Sequence, residues 1–372
     1  MKLDRRQFVG GLASLPFLPA SASAEAEETL RSIAASKDLF FGAATATSRL
    51  MKDRAYADLV GRECDALVAE YEMKQRWIQS GGPDTFNFRE SDWLYQFARR
   101  YDMKVRGHTL IWHIAMTDWL KQELEEKPDE QKHIVGYIEK VAGRYKGRTH
   151  SWDVANECVA PEDGGKDGMR TDSPWYKAFG ETFIDTAFHA ARATDPDAVL
   201  VYNDYGIEMQ DGMLQGKWYG NRRRAVLDLM ERLKTRNVPV DALGLQSHLR
   251  VFGAKHFDQE VLRDFLQKIV DMGYKLMVTE LEIRNFPGPD DTPTRDENVA
   301  AITKAYLDVL LDFKETLGIV TWGLSSRYNW INPEWEKKPP EGYDLRNLPF
   351  DKELQKTAMW TSISDSLKSR NG

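Results

Sequence analysis

With 372 residues, 42% of them hydrophobic and 29% charged, the chain is long enough to bury a large core, as one enlarged α/β barrel or as two domains of ordinary size. A net charge of −7, with basic residues scattered rather than patched, argues against nucleic acid and anionic membranes as partners. The 11 Trp and 14 Tyr supply, beyond ordinary packing, flat apolar faces of the kind on which sugars and other flat ligands are held.

Residues 1–24, MKLDRRQFVGGLASLPFLPASASA, read as an export signal rather than as fold. They have a basic start, an apolar middle too short to span a membrane, and Ala22-Ser23-Ala24 as cleavage site. Arg5-Arg6 ahead of Phe8 resembles a bacterial twin-arginine signal; a general secretory signal with an incidental Arg pair is the alternative. A periplasmic or secreted protein is expected. No repeat, low-complexity run or linker interrupts the remainder, so residues 25–372 are expected to form a single, monomeric catalytic domain with no appended binding module. Cys64 and Cys158 then face an oxidising compartment. Two buried free thiols are expected rather than a disulfide, and they make no zinc pattern.

Strand-like runs follow in order: LFFGAAT (39–45), CDALVAE (64–70), KVRGHTL (104–110), HSWDVAN (150–156), AVLVYND (198–204), VDALGLQSH (240–248), KLMVTELE (275–282) and GIVTWGL (318–324). Helical stretches lie between them. In 131–145, Ile134, Ile138, Val141 and Tyr145 mark one apolar face. The stretch 173–191 opens on Ser173-Pro174, a cap and first-turn proline, and buries Phe179, Phe183 and Ala187. The stretch 257–273 buries Val261, Phe265 and Ile269 and stops at Gly273. Serial alternation of this kind predicts an α/β fold, a (β/α)8 TIM barrel with enlarged loops. A doubly wound open sheet is the alternative, without a Gly-rich phosphate turn after the first strand to support it.

In such a barrel, chemistry collects at the C-terminal strand ends. Those ends read Glu70 with Lys74, His108 with Trp112 and His113, Asn156 with Glu157, Asn203 with Asp204, Gln246 with His248, Glu280 with Glu282, and Trp322. No phosphate cradle, G-x-S-x-G elbow or helical His pair is present, so neither cofactor nor metal is expected. Two carboxylates in a cleft with indoles suit glycoside hydrolysis, which needs one protonated acid and one ionised carboxylate. Glu157 and Glu280 are the natural pair. Glu280 and Glu282 share a face of an extended strand, and His248 next door is expected between them, holding Glu280 ionised while Glu282 fixes its tautomer.

The blocks WDVANE, VTELEI, RGHTLIWH, YNDYGIE, LQSHL and TWGLSSRYNW resemble, in order, those of the family 10 glycoside hydrolases, the β-1,4-xylanase family, over residues 40 to 360 or so. The resemblance implies an endo-acting, retaining enzyme on xylan or xylo-oligosaccharides, with Glu157 as acid/base, Glu280 as nucleophile and carboxyl groups about 5–5.5 Å apart. It implies that Asn156 meets the 2-hydroxyl of the cleaved sugar. Glu70, Lys74, His108, Trp112 and His113 match positions around the glycone side, and Gln246, His248, Trp322 and Trp330 the wall and roof over that sugar. Asn203 and Tyr205 match a block whose last asparagine is Gly206 here, and Tyr205 is a candidate contact on the leaving-group side.

Departures from the pattern cluster. Tyr71 stands where the family has asparagine, Gln75 where it has tryptophan, and Ile114-Ala115 where it has Ser-Gln. Polar recognition of the sugar beyond the cleaved one is therefore reduced, by about 1–3 kcal/mol at the usual worth of such bonds, and Tyr71 is expected either to stack there or to narrow the cleft. Glu282 and Ser326 replace aspartates, and Asn329 a serine. The rivals are a retaining β-glycosidase of the same clan on another or decorated β-glycan, and a sugar-binding barrel without catalysis.

Overall fold

The computed structural model describes residues 28–128, 131–208, 212–214, 217–219, 221–251, 257–289, 291–330 and 343–370; the export signal expected at 1–24 lies outside them. All eight expected strands are present. They are β1 (Phe40–Thr45), β2 (Ala66–Ala69), β3 (Lys104–Trp112), β4 (Ser151–Asn156), β5 (Val199–Asp204), β6 (Ala242–Leu245), β7 (Lys275–Arg284) and β8 (Thr316–Thr321). Each pairs in parallel with its neighbour, and β8 closes the ring against β1 from Phe40↔Gly318 to Ala43↔Thr321. An outer helix follows each strand: α1 (Arg54–Glu63), α2 (Arg89–Arg100), α3 (Gly136–Arg144), α4 (Thr182–Thr194), α5 (Arg222–Thr235), α6 (Gln259–Asp271), α7 (Thr292–Leu311) and α8 (Ala358–Ser369). This is the (β/α)8 barrel. None of the described helices is long and apolar enough to cross a membrane.

The period of two along each strand explains why two apolar layers form. Phe40, Ala44, Ala66, Val68, Val201, Ala242, Met277 and Val320 pack together inside the ring. Their neighbours Phe41, Ala43, Leu67 and Ala69 join the larger core against the helices. Strands that bury both faces read as continuous apolar runs, which is what made them visible in sequence. Gly107 is required by crowding: a Cβ there would meet the buried Trp152 ring at 2.0 Å.

Three elements differ from expectation. The run 240–248 is not one strand, because Ser247 takes a left-handed backbone (φ 65) that breaks it after β6. His248–Arg250 then pairs separately with the outer half of β7, His248 beside Glu282. The stretch 173–191 is two helices, Pro174–Phe179 and α4, parted at Gly180 (φ 62); Phe183 and Ala187 are buried as expected, but in the first helix Trp175 rather than Phe179 is the buried aromatic. In α6 the buried face is Leu262, Phe265, Leu266 and Ile269, with Val261 half-buried; Asp258 caps its start. A short antiparallel hairpin, Gly212–Leu214 with Lys217–Tyr219, had no sequence signal recognised for it. Cys64 and Cys158 are buried and free, and burial pushes both thiols up.

Candidate active site

The strand ends converge as the pattern requires. β4 stops at Asn156, and Glu157 turns out of the strand with φ 58 while its backbone N–H stays bonded to the Asn203 carbonyl at 2.9 Å. Two neutral donors meet its half-buried carboxylate. Trp112 Nε1 donates to Oε2 (2.9 Å) and Gln246 Nε2 to Oε1 (3.0 Å). Gln246, expected on the wall over the sugar, is thus also a partner of the acid.

Glu280, on β7, has a different setting. Its Oε2 lies 3.2 Å from His248 Nε2, and His248 Nδ1 lies 3.1 Å from Glu282 Oε1. The expected chain is present and longer than expected, since Arg284 Nε donates to Glu282 Oε1 (2.8 Å) and Trp330 Nε1 to Oε2 (2.9 Å). Burial opposes a charge on His248, but the bonds to both glutamates outweigh it and raise the imidazole to about 9. Burial likewise pushes Glu280 up, yet His248, His108 and Asn203 hold it below its ordinary value. Glu282 is held at about 2, burial being outweighed by Arg284 and His248.

Asn203 joins the two halves. Its Nδ2 donates to both Asn156 Oδ1 and Glu280 Oε1, each at 2.8 Å, while its Oδ1 accepts from Thr279 Oγ1 at 2.7 Å. A Cβ on Gly244 would come 2.4 Å from that Oδ1, so glycine on β6 leaves room for the bridge. Asn156 Nδ2 is buried and has no hydrogen-bond partner among the described residues. An orphaned buried amide costs about 1–3 kcal/mol, which a substrate hydroxyl would recover.

Below the carboxylates lies an aromatic floor around a buried lysine. Lys74 Nζ sits 4.9 Å from the Trp112 ring and 5.6 Å from both Trp322 and Tyr71. Burial pushes its ammonium down, opposed chiefly by Glu280, Glu70 and Glu157. Glu70 is gripped by Arg49, whose Nη2 donates at 3.2 Å. His108 packs steeply inclined against Trp322, ring centres 5.2 Å apart, and is oriented by Asp153, 2.9 Å from its Nδ1. His113 is pushed down to about 3 by burial and by Arg170, so it stands as neutral imidazole. Tyr205 is fixed by Arg170 at its hydroxyl (3.1 Å) and by Arg222 lying 4.0 Å from its ring centre.

The model of "Glycosyl hydrolase family 10" matches residues 29–366. The chain belongs to that family. A β-1,4-xylanase of Dictyoglomus thermophilum is 31% identical over 83% of this chain and 84% of its own length. Endo-1,4-beta-xylanase C of Paenibacillus barcinonensis is 30% identical over 87% of this chain, which spans only 30% of that relative. Xylanase 10B of Thermotoga petrophila RKU-1, solved in complex with xylobiose, superposes with a TM-score of 0.81 at 27% identity, covering 93% of this chain and 99% of its own. This chain is accordingly a glycoside hydrolase.

All sixteen expected positions lie at one end of this family 10 barrel, but sequence reasoning missed the residues that hold them. Arg284 had a signal: Glu280, Glu282 and Arg284 alternate on one face of β7. Asp153 likewise sits on the strand that carries Glu157. Arg49 and Arg170 had none: Arg49 reaches Glu70 from the short helix Thr47–Lys52 after β1, and Arg170 reaches its partner from a loop. Arg170 Nε donates to the Glu157 carbonyl at 2.9 Å. At the departures, Ser326 Oγ bonds Asp344 Oδ1 (2.8 Å), so a carboxylate arrives from another segment. Asn329 Nδ2 bonds Asn347 Oδ1 at 2.8 Å.

Proposed function

We propose that the chain is a retaining endo-β-1,4-xylanase in which Glu157 is the acid/base and Glu280 the nucleophile. The observation that carries this is the unequal setting of the two glutamates around Asn203. Glu280 is held ionised by His248, as a nucleophile must be. Glu157 is met by neutral donors that tolerate a change of its charge. In the first step Glu157 gives its proton to the glycosidic oxygen as Glu280 attacks the anomeric carbon; the glycosidic bond breaks and a glycosyl ester forms. The negative charge of Glu280 is then gone, and Glu157 takes a proton from water, whose oxygen attacks the same carbon and frees Glu280. Asn156 Nδ2 is the donor left for the 2-hydroxyl, a contact that strengthens in the transition state. The substrate class rests on the relatives named as xylanases and on the neighbour solved with xylobiose.

Glu280→Ala is expected to abolish turnover, and azide to restore a glycosyl azide of inverted configuration. Full activity without that carboxylate would sink the assignment. A second reading keeps the mechanism and changes the substrate to a decorated xylan or another β-glycan, favoured by Tyr71, Gln75 and Ile114-Ala115. Reducing-sugar release on xylan, mixed-linkage glucan and mannan separates the two.

A further inference from the structure

Among the described residues, the large apolar side chains most open to solvent are Met51, Trp77 and Ile114, at 60%, 42% and 40%. They follow β1, β2 and β3 respectively, at the end of the barrel where the glutamates sit. A single exposed apolar side chain needs no explanation, but two of these are built into one structure. Arg76 donates its backbone N–H to the Ala115 carbonyl (2.9 Å) and its guanidinium to the carbonyls of Ile114 (3.2 Å) and Met116 (3.3 Å). That fastens the loop after β2 to the loop after β3. Trp77 is stacked on Tyr71, ring centres 5.3 Å apart and planes inclined by 25°. Lys74 lies against the Tyr71 ring as it does against Trp112 and Trp322. Trp322, Trp112, Tyr71 and Trp77 therefore form one aromatic run, linked by Lys74, from the carboxylates out to solvent.

We propose that Trp77, backed by Tyr71 and flanked by Ile114, is a stacking platform for a sugar unit of the bound chain remote from the cleaved bond. This rests on the xylanase reading above. Continuity with the cleft names the occupant, because a chain lying across the glutamates and extending along the run meets an indole already held in place. Little ordering cost is left to offset the contact. Hydrogen-bonding groups are scarce here: Gln75 is buried and bonded to Gln79 at 3.1 Å, and Ala115 is buried. Stacking senses the face of a pyranose and not the pattern of its hydroxyls. The platform therefore accepts units whose hydroxyls carry substituents.

The test is kcat/KM for Trp77→Ala and Trp77→Phe across xylo-oligosaccharides of increasing length, with an aryl β-xyloside as the shortest substrate and a substituted xylan as the longest. Trp77→Ala is expected to lose roughly tenfold on the long substrates, the worth of one good stacking contact, with the aryl xyloside unchanged and Trp77→Phe largely restored. An unchanged length dependence would overturn the platform. A gain on long chains would overturn it too, showing that the Tyr71–Trp77 pair obstructs the cleft. If the wild-type enzyme hydrolyses no member of the series, the xylanase reading falls and takes the platform with it. A wild type active on the series with an indifferent Trp77→Ala removes the platform alone.

Discussion

The two glutamates sit on facing strands of one barrel and are joined through one asparagine, yet their surroundings are opposite. Around Glu280 stands a chain of charges, His248 then Glu282 then Arg284, each pinned by the next. Around Glu157 stand an indole and an amide, which carry no net charge. A charged chain resists a change in the protonation of its end member, whereas the indole and the amide bring no formal charge to bear on Glu157. On the proposed mechanism, one strand end keeps a charge and the other exchanges one.

The largest effect that sharpens this comparison is expected at the exchanging end. Glu157→Ala should cost ~10²–10⁴-fold in kcat on xylan, the range of general acid–base catalysis. The loss should be much smaller on aryl xylosides whose leaving group needs no proton. Equal losses on both substrates would break the assignment of the proton to Glu157.

At the charge-keeping end the expected effect is a displaced pH profile. His248, at about 9 against 6.5 unfolded, contributes stability that is fully present below 6.5 and lost as pH rises through 9. Glu282, at about 2 against 4.5, contributes above 4.5 and loses that contribution as pH falls toward 2. Glu282→Gln removes one of the two carboxylates that hold the His248 proton. The alkaline fall in kcat and in the unfolding midpoint should then begin roughly one pH unit lower. Superimposable wild-type and variant profiles would show that the chain does not act as a unit.

The smallest change is Gln246→Ala, which removes one neutral donor from Glu157 and leaves Trp112. About tenfold in kcat is expected, with little change in KM, for an amide bond of about 1–1.5 kcal/mol. A loss as large as that of Glu157→Ala would mean that Gln246 touches the reacting atoms itself.

Much of this could be read before the fold was seen. Acids, histidines and indoles stood next to apolar runs with a period of two, and a barrel turns that adjacency into a shared mouth. The expectation that His248 lies between Glu280 and Glu282 needed only strand geometry and neighbouring strands. The same logic stopped short at Arg284, one further step along that face. Local backbone was less legible: the turn at Ser247 and the break at Gly180 depend on single residues inside otherwise regular patterns. Arg49 reaches Glu70 from a short helix and Arg170 reaches the Glu157 carbonyl from a loop, and such contacts between separate segments leave no periodic trace in a sequence.

Glu157 holds a left-handed backbone that side chains other than glycine, asparagine and aspartate adopt at a cost of about 1–3 kcal/mol. Nothing in the folding of β4 asks for glutamate there. Selection for heat resistance alone would therefore draw this position toward asparagine or glycine and, on the proposed assignment, produce a sturdier barrel that no longer turns over. In this molecule, a ranking of variants by melting temperature and a ranking by turnover should run in opposite directions at residue 157.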